Sequence, residues 1–70
     1  MLLTVKEVSK ELKVNTNMVY RLINAGLLSS LKLGSRKVRK ETLDDFLKEY
    51  DGKDVDEILE NVEAGKEKTA

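Results

Sequence analysis

The strongest constraint on this chain is a helix-start signature that occurs twice within its first twenty residues. Thr4-Val5-Lys6-Glu7 has the form of a capping box, in which the Thr4 hydroxyl and the Glu7 carboxylate each satisfy the other residue's backbone N–H. Leu3 and Val8 stand at the hydrophobic-staple positions around that cap, and Val5, Val8 and Leu12 continue as an amphipathic stripe. The pattern then starts again. Asn15 is a second N-cap, Val14 and Val19 form its staple, Val19, Leu22 and Ile23 its stripe, and Gly26 its left-handed stop. Only Lys13, Val14 and Asn15 separate the two helices, which predicts a helix-turn-helix corner.

The period changes next. Leu31 and Leu33 alternate with Lys32, and Val38 alternates with Lys37 and Arg39, as in half-buried strands. Gly34-Ser35-Arg36 is the expected hairpin connection, with Gly34 free to take positive φ. Such a hairpin is marginal alone. Its apolar face is therefore expected against the helices, with Lys32, Arg36, Lys37 and Arg39 outward or at the tip. Leu43, Phe46, Leu47 and Tyr50 then give a helix over residues 41–50, with Glu41, Asp44 and Asp45 near its positive end. The expected fold is mainly α with a small β-hairpin. It is a winged helix-turn-helix (α-α-β-β-α) over residues 1–50, followed by an acidic segment, 51–70. In that segment Asp54, Glu57, the stripe Val55, Ile58, Leu59 and Val62, and Gly65 predict a helix over 54–64 with a frayed end beyond it.

Charge divides along the same boundary. The formal total is zero, yet residues 1–40 carry nine basic groups against two acids, net +7, and residues 41–70 carry four against eleven, net −7. Such asymmetry points to a nucleic-acid face joined to an acidic tail. The sequence has no Cys and no His, which removes disulfides, thiolate nucleophiles and the usual zinc ligands and general base. Asp44 and Asp45 are adjacent, so on a helix they diverge and form no carboxylate dyad. The glycine among Asp51, Asp54, Asp56 and Glu60 is misplaced for a calcium loop. These features predict a cytoplasmic binding module without enzyme activity, cofactor, metal, small-molecule substrate or membrane span.

A helix-turn-helix followed by a basic hairpin suits duplex DNA, with the second helix in the major groove and the first across the backbone. The candidate readers on the second helix are Asn15, Thr16, Asn17, Tyr20 and Arg21. Asn can pair with adenine, Thr can touch a thymine methyl or a phosphate, and Arg can pair with guanine or phosphate. Capping alone already accounts for Asn15. Thr16 and Asn17 have no core role, Tyr20 can set its hydroxyl on a phosphate, and Arg21 lies four residues beyond Asn17 on the same face. The wing candidates are Lys32, Ser35, Arg36, Lys37 and Arg39, whose mutual repulsion an opposing anion relieves. Thr4 and Lys6 are candidates for backbone phosphates.

Thr4 to Val8, Asn15 to Ile23, Ala25-Gly26, Leu31 to Gly34 and Lys40 to Leu47 together resemble the excisionase-type DNA-binding domain, a small winged helix related to the MerR regulators. The resemblance covers residues 2–50, and Val19-Tyr20-Arg21-Leu22-Ile23 is its most specific string. It implies a second helix that reads the major groove and a wing that reaches the minor groove. It also implies cooperative binding of repeated sites, bending of DNA, and the steering of an integrase or recombinase toward excision; other members are transcription regulators. This chain departs from the family with Asn15 in place of a frequent Ser, Thr16 and Asn17 in place of basic residues, and Met18 in place of Thr. Its hairpin is shorter, lacks the frequent aromatic and carries Arg39 where Pro is common.

Residues 51–70 fall outside the resemblance. The stripe Val55, Ile58, Leu59 and Val62 has the spacing of a helix laid into a partner's groove. It can serve a protein partner, a second copy on DNA, or its own domain by folding back, and the acids around it can screen the basic face. Folding back gives a small core more to bury.

Overall fold

Both helix-start signatures form helices in the computed structural model, which describes residues 1–65. Helix α1 (Val5–Leu12) carries the complete capping box, with the Glu7 N–H donating to Thr4 Oγ1 at 3.1 Å and the Thr4 N–H to Glu7 Oε1 at 2.8 Å. Helix α2 (Thr16–Asn24) begins where the Met18 N–H donates to Asn15 Oδ1 at 2.8 Å. Between them Lys13 takes the left-handed conformation, φ 59°, and the Val14 N–H closes the α1 end by donating to the Ser9 carbonyl at 3.0 Å. Ser9 is buried, and its hydroxyl donates to the Lys6 carbonyl at 2.6 Å. Gly26, at φ 82°, ends α2 as expected.

The sheet has one strand more than the hairpin predicts. Residues Leu2–Thr4 form β1, antiparallel to β3 (Ser35–Arg39), which on its other side pairs with β2 (Leu31–Leu33) in the order β1-β3-β2. Three residues without period-2 alternation carry no strand signal of their own; β3 induces the pairing by offering its free edge. Gly34 alone, at φ 75°, makes the hairpin turn, so Ser35 and Arg36 belong to β3 rather than to the connection. The register also corrects the expected apolar face. Leu3 lies opposite Val38 and both are buried, whereas Leu31 lies opposite Lys37 and Leu33 opposite Ser35. Opposed residues share a face and successive ones alternate. Leu31 and Leu33 therefore occupy the face away from the helices, 45% and 63% exposed.

Helix α3 (Lys40–Glu49) follows β3 without a break. The Lys40 N–H donates to the Met1 carbonyl at 3.0 Å, so the residue just before β1 satisfies a backbone group that a helix start leaves free. Leu43 and Phe46 are buried and Tyr50 packs beside them, with its ring 5.0 Å from that of Phe46, while Leu47 stays exposed. Helix α4 (Val55–Glu63) starts at Asp54, whose Oδ1 accepts from the Glu57 N–H at 3.0 Å. It folds back on the rest of the chain. Leu59 is fully buried in the same core as Val8, Val19, Leu22, Val38 and Leu43, and Val55 packs against that core. Ile58 and Val62 are half-buried. The frayed end expected after Gly65 lies outside the described residues.

Two stability outcomes follow. Leu59→Ala leaves a cavity in the core and is expected to cost about 2–5 kcal/mol in urea unfolding. A loss under 1 kcal/mol would mean that α4 does not dock in solution. Lys13→Gly relieves a left-handed non-glycine residue at the helix-turn-helix corner and is expected to stabilise by about 0.5–1 kcal/mol. That gain raises the melting temperature by several degrees in a domain of this size.

Candidate nucleic-acid interface

With Val19 and Leu22 turned into the core, α2 leaves Thr16, Asn17, Tyr20, Arg21 and Asn24 exposed. At about 100° per residue these five fall within an arc of about 140°, with Thr16 at one edge and Arg21 at the other. The candidate readers thus share one surface, and the structure adds Asn24, which is four residues beyond Tyr20 and which the sequence reading passed over. Asn15 sits at the rim of this surface with its carbonyl oxygen committed to the cap. The Thr4 oxygen is likewise engaged, accepting from the Glu7 N–H, although a hydroxyl can still donate outward. Lys6 is exposed on the first turn of α1.

The wing is organised differently from the expectation of one basic face. Lys32 lies opposite Arg36, and this pair shares the sheet face of Val38; Lys37 and Arg39 occupy the other face with Thr4 and Leu31. The cations are therefore divided two and two. Those near the tip lean on neutral oxygens. Lys32 Nζ donates to the Gly34 carbonyl at 2.9 Å, Lys37 Nζ to Ser35 Oγ at 2.8 Å, and Arg36 Nη1 to Ser30 Oγ at 3.3 Å. Among the described residues no carboxylate lies within ion-pair distance of Lys6, Lys32, Arg36 or Lys37, and Arg39 reaches Glu41 only at 3.9 Å. Their charge is available to an outside anion.

Arg21 is the exception. Its Nη2 and Nε donate to the two carboxylate oxygens of Glu63 at 2.7 and 2.9 Å, a bidentate pair between residues 42 apart in the chain. The hydrogen bond to Glu63 raises the Arg21 pKa, and the charges of Glu63, Glu60 and Asp56 add to it; the same bond holds the Glu63 carboxyl below the usual range. Sequence reasoning missed Glu63 as a neighbour of α2. The available signal was the spacing of Asp56, Glu60 and Glu63 at i, i+4 and i+7, which places three acids on one face of α4.

The family model of the Helix-turn-helix domain matches residues 2–51. That span is most of the chain and holds both capped helices, the wing and α3, and the chain belongs to this family. It is a DNA-binding helix-turn-helix protein, with double-stranded DNA as its partner. No curated protein and no solved structure matches it. Among the described residues no helix is long and apolar enough to cross a membrane.

The Glu63 carboxyl is held low by its ion pair, so the pair's contribution to stability is present above the ordinary carboxylate pKa and is lost as pH falls through the folded value. The melting temperatures of the wild type and Glu63→Gln should differ at pH 7, and the difference should shrink as pH falls below the ordinary carboxylate range. A difference that persists in acid would show that the carboxylate charge does not make the contact.

Proposed function

We propose that the protein binds duplex DNA sequence-specifically, with α2 in the major groove and the wing in the adjacent minor groove, and that it acts as an excision factor of a mobile element. Thr16, Asn17, Tyr20 and Arg21 lie in or beside the major groove, with Asn24 extending the row. Asn15 holds the helix start against the groove, and Thr4 and Lys6 meet backbone phosphate. In the wing, Lys32 and Arg36 address one phosphate wall of the minor groove, while Lys37, Arg39 and the Ser35 hydroxyl address the other. The observation that carries this reading is the division of the wing cations between its two faces. A solvated edge needs charge but no particular sidedness, whereas a strand inserted between two phosphate walls is neutralised best by cations on both sides.

The cellular role rests on the resemblance of residues 2–50 to the excisionase-type domain, whose members bind repeated sites cooperatively, bend DNA and direct an integrase. A transcription regulator of the same fold is the alternative role. Fluorescence anisotropy of a labelled duplex, titrated at low salt and again at roughly 200 mM, tests the docking. Binding should fall steeply with salt. Arg36→Ala should weaken it by about 1–3 kcal/mol on all sequences with a shallower salt slope, and Asn17→Ala should lose discrimination between sites. Unchanged affinity in both variants would sink the docking. Loss of integrase-dependent excision without this protein, on a substrate carrying its sites, separates the excision role from transcription control.

A further inference from the structure

We infer that α4 is a built-in competitor for DNA: its acidic face holds Arg21 in a carboxylate clamp that duplex DNA must displace. The inference rests on the DNA-binding reading above. Three observations carry it. The clamp is bidentate and uses the Nε and Nη2 donors of Arg21, one of the two edges with which a guanidinium meets a phosphate or a guanine. Glu63 does not act alone, because Glu60 and Asp56 also add to the field at Arg21. With a rise of 1.5 Å per residue the three acids lie about 5 Å apart along the helix over about 10 Å, a row of negative charge sparser than one DNA strand with its phosphate every 3.4 Å or so but of the same sign. They therefore flank the recognition surface with the charge of the ligand it is built to meet.

The third observation is where the clamp sits. Glu63 is the last residue of α4, and the last turn of that helix contains no basic residue. A carboxylate there opposes the negative end of the helix dipole, and Arg21 supplies the missing cation. Leu59, one turn earlier, is fully buried. DNA can therefore take Arg21 without undocking α4, at the expense of the last turn alone. The coupling is reciprocal: the factor by which the closed clamp weakens DNA binding is the factor by which bound DNA weakens the clamp.

The test is anisotropy with the full chain and a labelled random-sequence duplex at low salt, comparing the wild type, Glu63→Gln, Asp56→Asn/Glu60→Gln/Glu63→Gln, and Arg21→Ala with and without Glu63→Gln. Glu63→Gln should tighten binding about twofold to fivefold, the range for an exposed ion pair. The triple variant should tighten it further, and both gains should shrink toward 1 M salt, where the Debye length is about 3 Å. In the Arg21→Ala background Glu63→Gln should change little. Equal affinities for the wild type and Glu63→Gln, or equal gains with and without Arg21, would overturn the inference while leaving the DNA-binding reading in place. Weaker binding by Glu63→Gln would overturn it in favour of a carboxylate that positions Arg21 for its base. No binding by any form would instead remove the reading on which it stands. Circular dichroism melts of each variant at the same salt identify any that fail to fold; the Glu60→Gln single variant then replaces them, with tightening expected and unchanged affinity counting against the acidic face.

Discussion

The pairing of β1 with β3 is the interaction on which the rest of this small fold depends. Leu3 and Val38 lie side by side on the buried face of the sheet, and the Lys40 N–H finds its acceptor in the Met1 carbonyl. One strand pair thus fixes the entry to α1, the direction of the wing and the start of α3. A two-stranded wing would be marginal in water, and a third strand with a buried face changes that. Seventy residues leave only a few kcal/mol of net stability. Loss of this pairing would release three elements together.

The same economy explains α4. A domain of fifty residues buries too little surface to be comfortable, and the acidic segment adds Leu59 to the centre of the core and Val55 to its edge. Docking α4 for stability also brings its acids beside α2. The electrostatic halves visible in the sequence are therefore in contact through the 2.7 Å pair of Arg21 and Glu63. Stability and ligand competition share one helix: buried Leu59 serves the first alone, and the Glu63 pair with Arg21 serves both.

The wing shows how a correct element can carry an incorrect face. The alternation of Leu31 and Leu33 announced a strand, and a strand forms. Sequence alone assigned those leucines to the core because most alternating apolar residues go there. The one-residue turn at Gly34 sets a register that turns them outward, since a shift of one residue moves every side chain to the other face. Lys32 moved the opposite way, onto the face of Val38 beside Arg36, while Lys37 and Arg39 kept the face opposite Val38, so the cations lie two on each side.

Local sequence by itself determined what depends on neighbours a few residues away: the caps at Thr4, Asn15 and Asp54, the stripes of α1 through α4, the stop at Gly26 and the grouping of Thr16, Asn17, Tyr20 and Arg21 on one exposed helix face. Each is settled by hydrogen bonds or side-chain spacings within about one turn. Tertiary structure decided what depends on residues far apart in the chain. It made a strand of Leu2–Thr4, chose the face of Leu31 and Leu33 and closed Glu63 on Arg21. None of these has a local signature, because their free energy comes from edges, cores and charges that exist only once distant segments have met.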